Sequence, residues 1–171
     1  MSINSIDNLI SDKYKIQYNE NHVYMVEETD SNCRIKNPKK ARTTIKSQGI
    51  NLLYKFDDDK NLLPFFKDVE GAKCMVDYIY FMEHNNSIFI FLIELSKSKT
   101  KYYQKEASEL FIQYVIQTSQ RIYPQRIQDI YFKYILLKSS SVKLTTKIKP
   151  KKNYVLPLGR LLELKKYCLI C

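Results

Sequence analysis

Glycine is scarce in this chain. The three glycines among its 171 residues, Gly49, Gly71 and Gly159, are too few and too scattered to build a phosphate-cradling loop. That excludes both the dinucleotide fingerprint and the nucleotide-hydrolase loop. Histidine is scarcer still. His22 and His84 cannot furnish a multi-histidine zinc site or a histidine-rich nuclease motif, so any metal chemistry has to rest on carboxylates and on ions that prefer oxygen. Long apolar runs are missing too: Ser87 to Leu95 is about half the length of a membrane span, which predicts a protein without a membrane partner. The chain opens with no signal-peptide pattern, so a cytoplasmic location is expected, with Cys33, Cys74, Cys168 and Cys171 reduced. Cys168 and Cys171 have the spacing of a zinc or redox pair, but no second close pair accompanies them, and they read as free thiols.

Acidic residues are lacking from one half only. Residues 1–94 hold 12 Lys/Arg against 14 Asp/Glu, a balance of −2, whereas residues 95–171 hold 16 against 4, a balance of +12; together they give the formal +10. Between Ile130 and Leu162 there is no acid at all, while Lys133, Lys138, Lys143, Lys147, Lys149, Lys151, Lys152 and Arg160 recur. Such asymmetry points to a polyanionic partner, and the spacing suits backbone phosphates. Taken alone, the same run is also what a solvated basic face looks like. The nucleic-acid-binding residues expected from it are Lys138, Lys143, Lys147, Lys149, Lys151 and Lys152.

Length and composition predict a single domain spanning residues 1–171, with a basic C-terminal segment from about residue 138 onward. Ile6, Leu9 and Ile10 predict a short N-terminal helix over Asn4 to Tyr14. Strands are expected at His22–Glu28, Thr43–Lys46 and Leu52–Phe56. The most informative region follows. Cys74–Met82 reads as a strand, His84-Asn85-Asn86 as a turn and Ser87–Leu95 as a second strand, so a hairpin with a buried centre is predicted. Tyr103, Ala107, Leu110, Phe111, Tyr114, Val115, Thr118 and Ile122 recur at helical spacing and predict one long helix with that stripe against the sheet, stopped by Pro124. Ile127–Lys138 then reads as a buried strand returning beside the hairpin, with the helix as crossover. The fold class is α/β, a mixed central sheet with flanking helices. Leu161, Leu162 and Leu164 form an apolar tail that either closes the core or docks a partner subunit.

Two carboxylates in this hairpin need a reason to be there. Asp77 falls in an apolar strand, and Glu94 ends the run Ile88-Phe89-Ile90-Phe91-Leu92-Ile93. Buried carboxylates near one another on adjacent strands imply a cation, a basic partner or a cleft. Strand alternation puts Glu94 and Ser96 on one side, with Phe89, Phe91, Ile93 and Leu95 on the other. A plainer reading also stands: Asp77 as an edge residue paired with Lys73 or Arg42, and Glu94 as the solvent-exposed end of a strand paired with Lys97 or Lys99. Most of the fourteen tyrosines fall on apolar faces and are expected in the core, with Tyr102 and Tyr154 the better candidates for stacking on bases.

An acid in the first hairpin strand, Ile93-Glu94-Leu95 at the end of the second, and a following helix that packs back on the sheet resemble the core of the PD-(D/E)XK nuclease-like superfamily, the restriction-endonuclease-like fold. The resemblance spans roughly Glu27 to Ile122, with Glu27-Glu28 similar to an additional acidic segment of some members. It implies Mg²⁺, or Mn²⁺, held by Asp77, Glu94, the main-chain carbonyl of Leu95 and Glu28, and a lysine two positions past the glutamate that orients or activates water. Here that position is Ser96, with Lys97 next to it. Lys97 becomes the catalytic candidate if a bulge at the strand end turns it inward, with Lys99, Lys101 and Lys105 as alternatives and Gln104 facing the site from the helix. The expectation is a nuclease-like, nucleic-acid-binding protein that hydrolyses phosphodiester bonds of DNA in bacterial or phage defence. The alternative is a catalytically inactive nuclease-fold subunit that binds DNA or joins a larger protein complex.

Overall fold

The computed structural model describes residues 2–27, 42–47, 49–56, 63, 69, 74–96, 102–124, 129–138, 153–157 and 161–162. Among them the chain forms α1 (Ile3–Asp7), a 3-10 turn (Asp12–Tyr14), β1 (Lys15–Ile16), β2 (Val23–Glu27), β3 (Arg42–Lys46), β4 (Asn51–Lys55), β5 (Tyr78–His84), β6 (Ser87–Ser96), α2 (Tyr102–Ile122), β7 (Asp129–Lys138), β8 (Asn153–Pro157) and β9 (Leu161–Leu162). The larger sheet has six strands in the order β1-β4-β5-β6-β7-β8, and the smaller has three in the order β2-β3-β9.

Local chemistry explains the central hairpin. Asn85 and Asn86 both sit at positive φ, 50° and 58°, as a two-residue turn of the hairpin-favouring hand requires, and asparagine tolerates that conformation better than most residues. The turn sets the antiparallel register from His84↔Ser87 to Tyr78↔Ile93. β6 then pairs in parallel with β7 along its whole length, from Ser87↔Asp129 to Ser96↔Lys138, and β7 pairs in parallel with β8. A parallel neighbour demands a crossover, and α2 lies within the connection from β6 to β7. The sheet is therefore mixed and the fold α/β, as expected.

The large sheet is covered on both faces, which is why its central strands are apolar throughout. Ile79, Phe81, Ile88, Ile90, Leu92, Tyr134 and Leu136 join the buried residues of α1 and α2 in one cluster. Tyr78, Tyr80, Phe89, Phe91, Ile93, Ile135 and Leu137 join Tyr24, Val26 and Ile45 of the small sheet in another. Tyr78 ties the layers together through polar atoms: its hydroxyl donates to the Glu27 carbonyl at 2.9 Å and accepts the Glu27 N–H at 3.0 Å.

Several expectations are corrected. α2 buries a face that overlaps the predicted stripe only in part, at Val115 and, half-buried against the core, Phe111. Ser108, Ile112, Val115, Ile116 and Ser119 turn inward, while Tyr103, Leu110, Tyr114 and Ile122 are exposed, Leu110 and Tyr114 each at 66%. The two serines are wholly buried beside wholly buried Ile112, so the inner face is set by small size as much as by apolarity. The N-terminal helix stops at Asp7 and continues only as the 3-10 turn. Asp7, the last residue of α1, is engaged there by Lys15, whose Nζ donates to both its carboxylate oxygens at 2.8 and 2.6 Å, and by the Tyr54 hydroxyl, which donates at 2.6 Å. The first hairpin strand begins at Tyr78 rather than Cys74. β8 went unread within the basic segment, and Leu161–Leu162 pair in parallel with Thr44–Ile45, so this part of the tail closes the small sheet.

Candidate functional site

The segment before β5 is held by side chains instead of ladder bonds. The Ser108 Oγ of α2 accepts the Val76 N–H at 2.8 Å, and Gln104 Nε2 donates to the Met75 carbonyl at 3.4 Å. Asp77 Oδ2 accepts the main-chain N–H of Leu95. Three side chains thus take up backbone groups that a longer strand would have paired, and they fix Asp77 at the mouth of the hairpin. Asp77 therefore stands at a bend beside the strand rather than inside it.

Asp77 immediately precedes Tyr78 and Glu94 immediately follows Ile93, so the two acids stand at the same end of the hairpin, one position beyond its last ladder pair. Both are buried, at 9% and 6% exposure, which removes the reading of Glu94 as a solvent-exposed strand end. Alternation puts Glu94 on the same side as Ile90 and Leu92, the side covered by α2. The first turns of that helix are anchored to the segment just before Asp77, through Gln104 to Met75 and Ser108 to Val76. Two carboxylates taken out of water cost several kcal/mol each unless positive charge or hydrogen bonds compensate them. They are also hard oxygen donors on facing strands, the chemistry that Mg²⁺ takes with one or two carboxylates and retained waters. In donor type the site fits such an ion, with Asp77 and Glu94 as the residues that would hold it. Among the described residues no group of three or more His, Cys, Asp or Glu comes together as a metal cluster.

The other candidates fall as follows. Leu95 is in β6 and its amide belongs to the Asp77 hydrogen bond; Lys105 lies on the α2 side, its Nζ 6.0 Å from the centroid of the Tyr134 ring. Tyr134 is the register partner of Leu92, so Lys105 sits one alternation inward from Glu94. Lys105 also lines a cleft of about 450 Å³ with Glu109, Leu92, Phe132 and Lys133. Glu27 ends β2 and is bound through its backbone to Tyr78, on the sheet face opposite the one that carries Glu94. Lys138 ends β7, across from Ser96 on one side and Pro157 on the other. Glu28, Lys97, Lys99, Lys101, Lys143, Lys147, Lys149, Lys151 and Lys152 lie outside the described residues, as do the side chains of Ser96, Tyr102, Lys138 and Tyr154. Sequence reasoning missed Ser108 as a support of the site. A serine flanked by Ala107 and Glu109 in a strong helix carries no local signal of what it binds.

Among the described residues no helix is long and apolar enough to cross a membrane. No protein-family model, no curated protein and no solved structure matches this chain.

Proposed function

We propose that the chain is a restriction-endonuclease-like protein whose acid pair serves Mg²⁺- or Mn²⁺-dependent hydrolysis of DNA. What supports this reading is that Asp77 and Glu94 are both buried at the same end of a hairpin, beside a crossover helix anchored to the segment before Asp77 and followed by a parallel strand. A divalent ion bound there would neutralise phosphate charge and lower the pKa of an attacking water. Around it, Asp77 is held by the Leu95 amide, and Ser108 and Gln104 keep the preceding backbone in place. The basic stretch from Lys138 through Lys152 would engage backbone phosphates without reading bases, which leaves sequence choice to DNA shape or to a protein partner. A small nuclease of this kind suits bacterial or phage conflict, an argument from analogy with the fold.

A second reading is favoured by Ser96, which supplies no charge where the resemblance asks for lysine. Under it the protein binds DNA as an inactive nuclease-fold subunit in a larger assembly. Plasmid and linear DNA incubated with the protein, with and without Mg²⁺ or Mn²⁺, separate the two. Metal-dependent cutting by wild type that falls at least a hundredfold in Glu94→Ala is expected under the first. Tight, salt-sensitive binding without cutting, weakened by neutralising Lys149, Lys151 and Lys152, leaves only the second.

A further inference from the structure

α2 turns Ser108, Ile112 and Ser119 toward the sheet and leaves its opposite side to solvent, with Tyr103 59% and Leu110 and Tyr114 each 66% exposed. Such side chains bury little within one copy of the chain, and an apolar stripe left open on a helix marks a place where a partner binds. The spacing says which partner. Tyr103, Ala107, Leu110, Tyr114, Gln117 and Arg121 follow one another by steps of four, three, four, three and four residues. That is the step pattern of a coiled-coil seam, and it reads the same from either end. A two-fold axis at the level of Ile112 therefore sets Leu110 against Tyr114 of a second copy, Ala107 against its Gln117 and Tyr103 against its Arg121, each contact being made twice.

Charge decides the direction. Glu106 flanks the seam in the first half of the helix and Arg121 lies on it in the last turn, both exposed. Parallel pairing would set Arg121 on Arg121 and Glu106 beside Glu106, like charge on like. The antiparallel arrangement instead puts each Arg121 against a Tyr103 ring, where a guanidinium is attracted to the aromatic face. It also brings Arg121 within three residues of the other copy's Glu106 along the axis, about 4.5 Å at the helical rise. We propose that α2 is a self-association surface, on which two copies of this chain pack helix against helix, antiparallel, along Tyr103, Leu110 and Tyr114. The inference stands apart from the nuclease reading, because neither acid of the hairpin takes part. One helix pair is small for a specific interface, so monomer and dimer exchange with a dissociation constant in the micromolar range.

The test is sedimentation velocity of the full chain over a series of concentrations, for wild type, Leu110→Arg, Glu106→Arg, Arg121→Glu and an equimolar mixture of the last two. Thermal unfolding at low concentration checks that each variant is folded. Wild type is expected to dimerise as concentration rises, and Leu110→Arg to raise the dissociation constant about a hundredfold or more. Glu106→Arg and Arg121→Glu each set like charges together at both ends of the seam, and each should weaken the dimer about tenfold. In their mixture opposite charges face each other again at both ends, so heterodimers with most of the wild-type affinity are expected. A wild type that stays monomeric at every concentration overturns the proposal; if Leu110→Arg then opens the tail beyond Leu162 to protease, the face belongs to this chain's own end. A dimer indifferent to Leu110→Arg uses another surface and overturns it as well. Charge variants without effect, or without recovery on mixing, overturn the antiparallel pairing.

Discussion

The two faces of the large sheet are equally dry but differently used. Toward the small sheet, polar atoms serve assembly: the Tyr78 hydroxyl is spent on both backbone groups of Glu27, and the Tyr24 hydroxyl donates to Asn51 Oδ1 at 2.8 Å. At the open end of the hairpin the polar atoms gather: buried Asp77 and Glu94 stand there, and Gln104 and Ser108 of α2 hold the backbone of Met75 and Val76 just before Asp77. A face closed by another sheet is locked by tyrosines, whereas a face closed by one helix leaves a rim where charge can be concentrated. The chemistry proposed for this protein belongs to the second kind of face.

Substitutions can break or sharpen that contrast. The largest expected effect is shared by both sides: Phe91→Ala on the tyrosine-lined face and Phe81→Ala on the helix face each remove a wholly buried ring and should cost about 3–5 kcal/mol in denaturant unfolding. A much smaller loss at either position would mean that its cluster is not a true core. Next comes the seating of α2. Ile112→Ala should cost about 2–5 kcal/mol, whereas Leu110→Ala, two residues away and two-thirds exposed, should stay within about 0.5 kcal/mol. Equal losses would restore the helix face read from periodicity.

Tyr78→Phe strips the link between the sheets and should cost about 1–3 kcal/mol, since the Glu27 amide and carbonyl lose their shared partner. The smallest neutral-pH effect is Tyr24→Phe, about 1 kcal/mol, because Asn51 keeps its contact with Ser47. This residue has a pH signature as well. Burial, aided by the nearby charges of Tyr18 and Asp7, pushes the Tyr24 hydroxyl up to about 12 from its ordinary 10. Tyr54 is raised in the same direction by burial and by its hydrogen bond to Asp7. With the folded pKa above the unfolded one, the native state retains protons that the unfolded chain has lost. The stabilisation is complete below pH 10 and disappears as pH rises through about 12. Tyr24→Phe should flatten that alkaline decline; an identical slope would remove Tyr24 as its source.

How much of this was legible in the sequence varied with the range of the interactions. The hairpin, the long helix and the returning strand could be read because Asn85-Asn86, Pro124 and the apolar runs are local signals. The seating of α2 could not. Tyr103, Ala107, Leu110 and Tyr114 make as regular a stripe as Ile112, Val115 and Ile116, and the buried face also carries Ser108 and Ser119, which are wholly buried without looking apolar. The small sheet was legible only in part, because β9 is two residues long and finds β3 across more than a hundred residues of chain. For the acid pair, strand alternation foretold the side on which Glu94 stands, while the pairing of Asp77 with the Leu95 amide depends on a bend that no local pattern announces.

The two-residue turn at Asn85-Asn86 also bears on the order in which the molecule assembles. Closing so short a connection costs little chain entropy, whereas bringing β7 beside β6 must wait for the whole connecting segment that contains α2. Asp77 and Glu94 therefore become neighbours while water still surrounds them, and their desolvation falls on the later step that docks the helix. On the proposed metal-binding reading, divalent ions are expected to speed that docking step and leave hairpin closure untouched, an outcome that refolding kinetics would register without DNA.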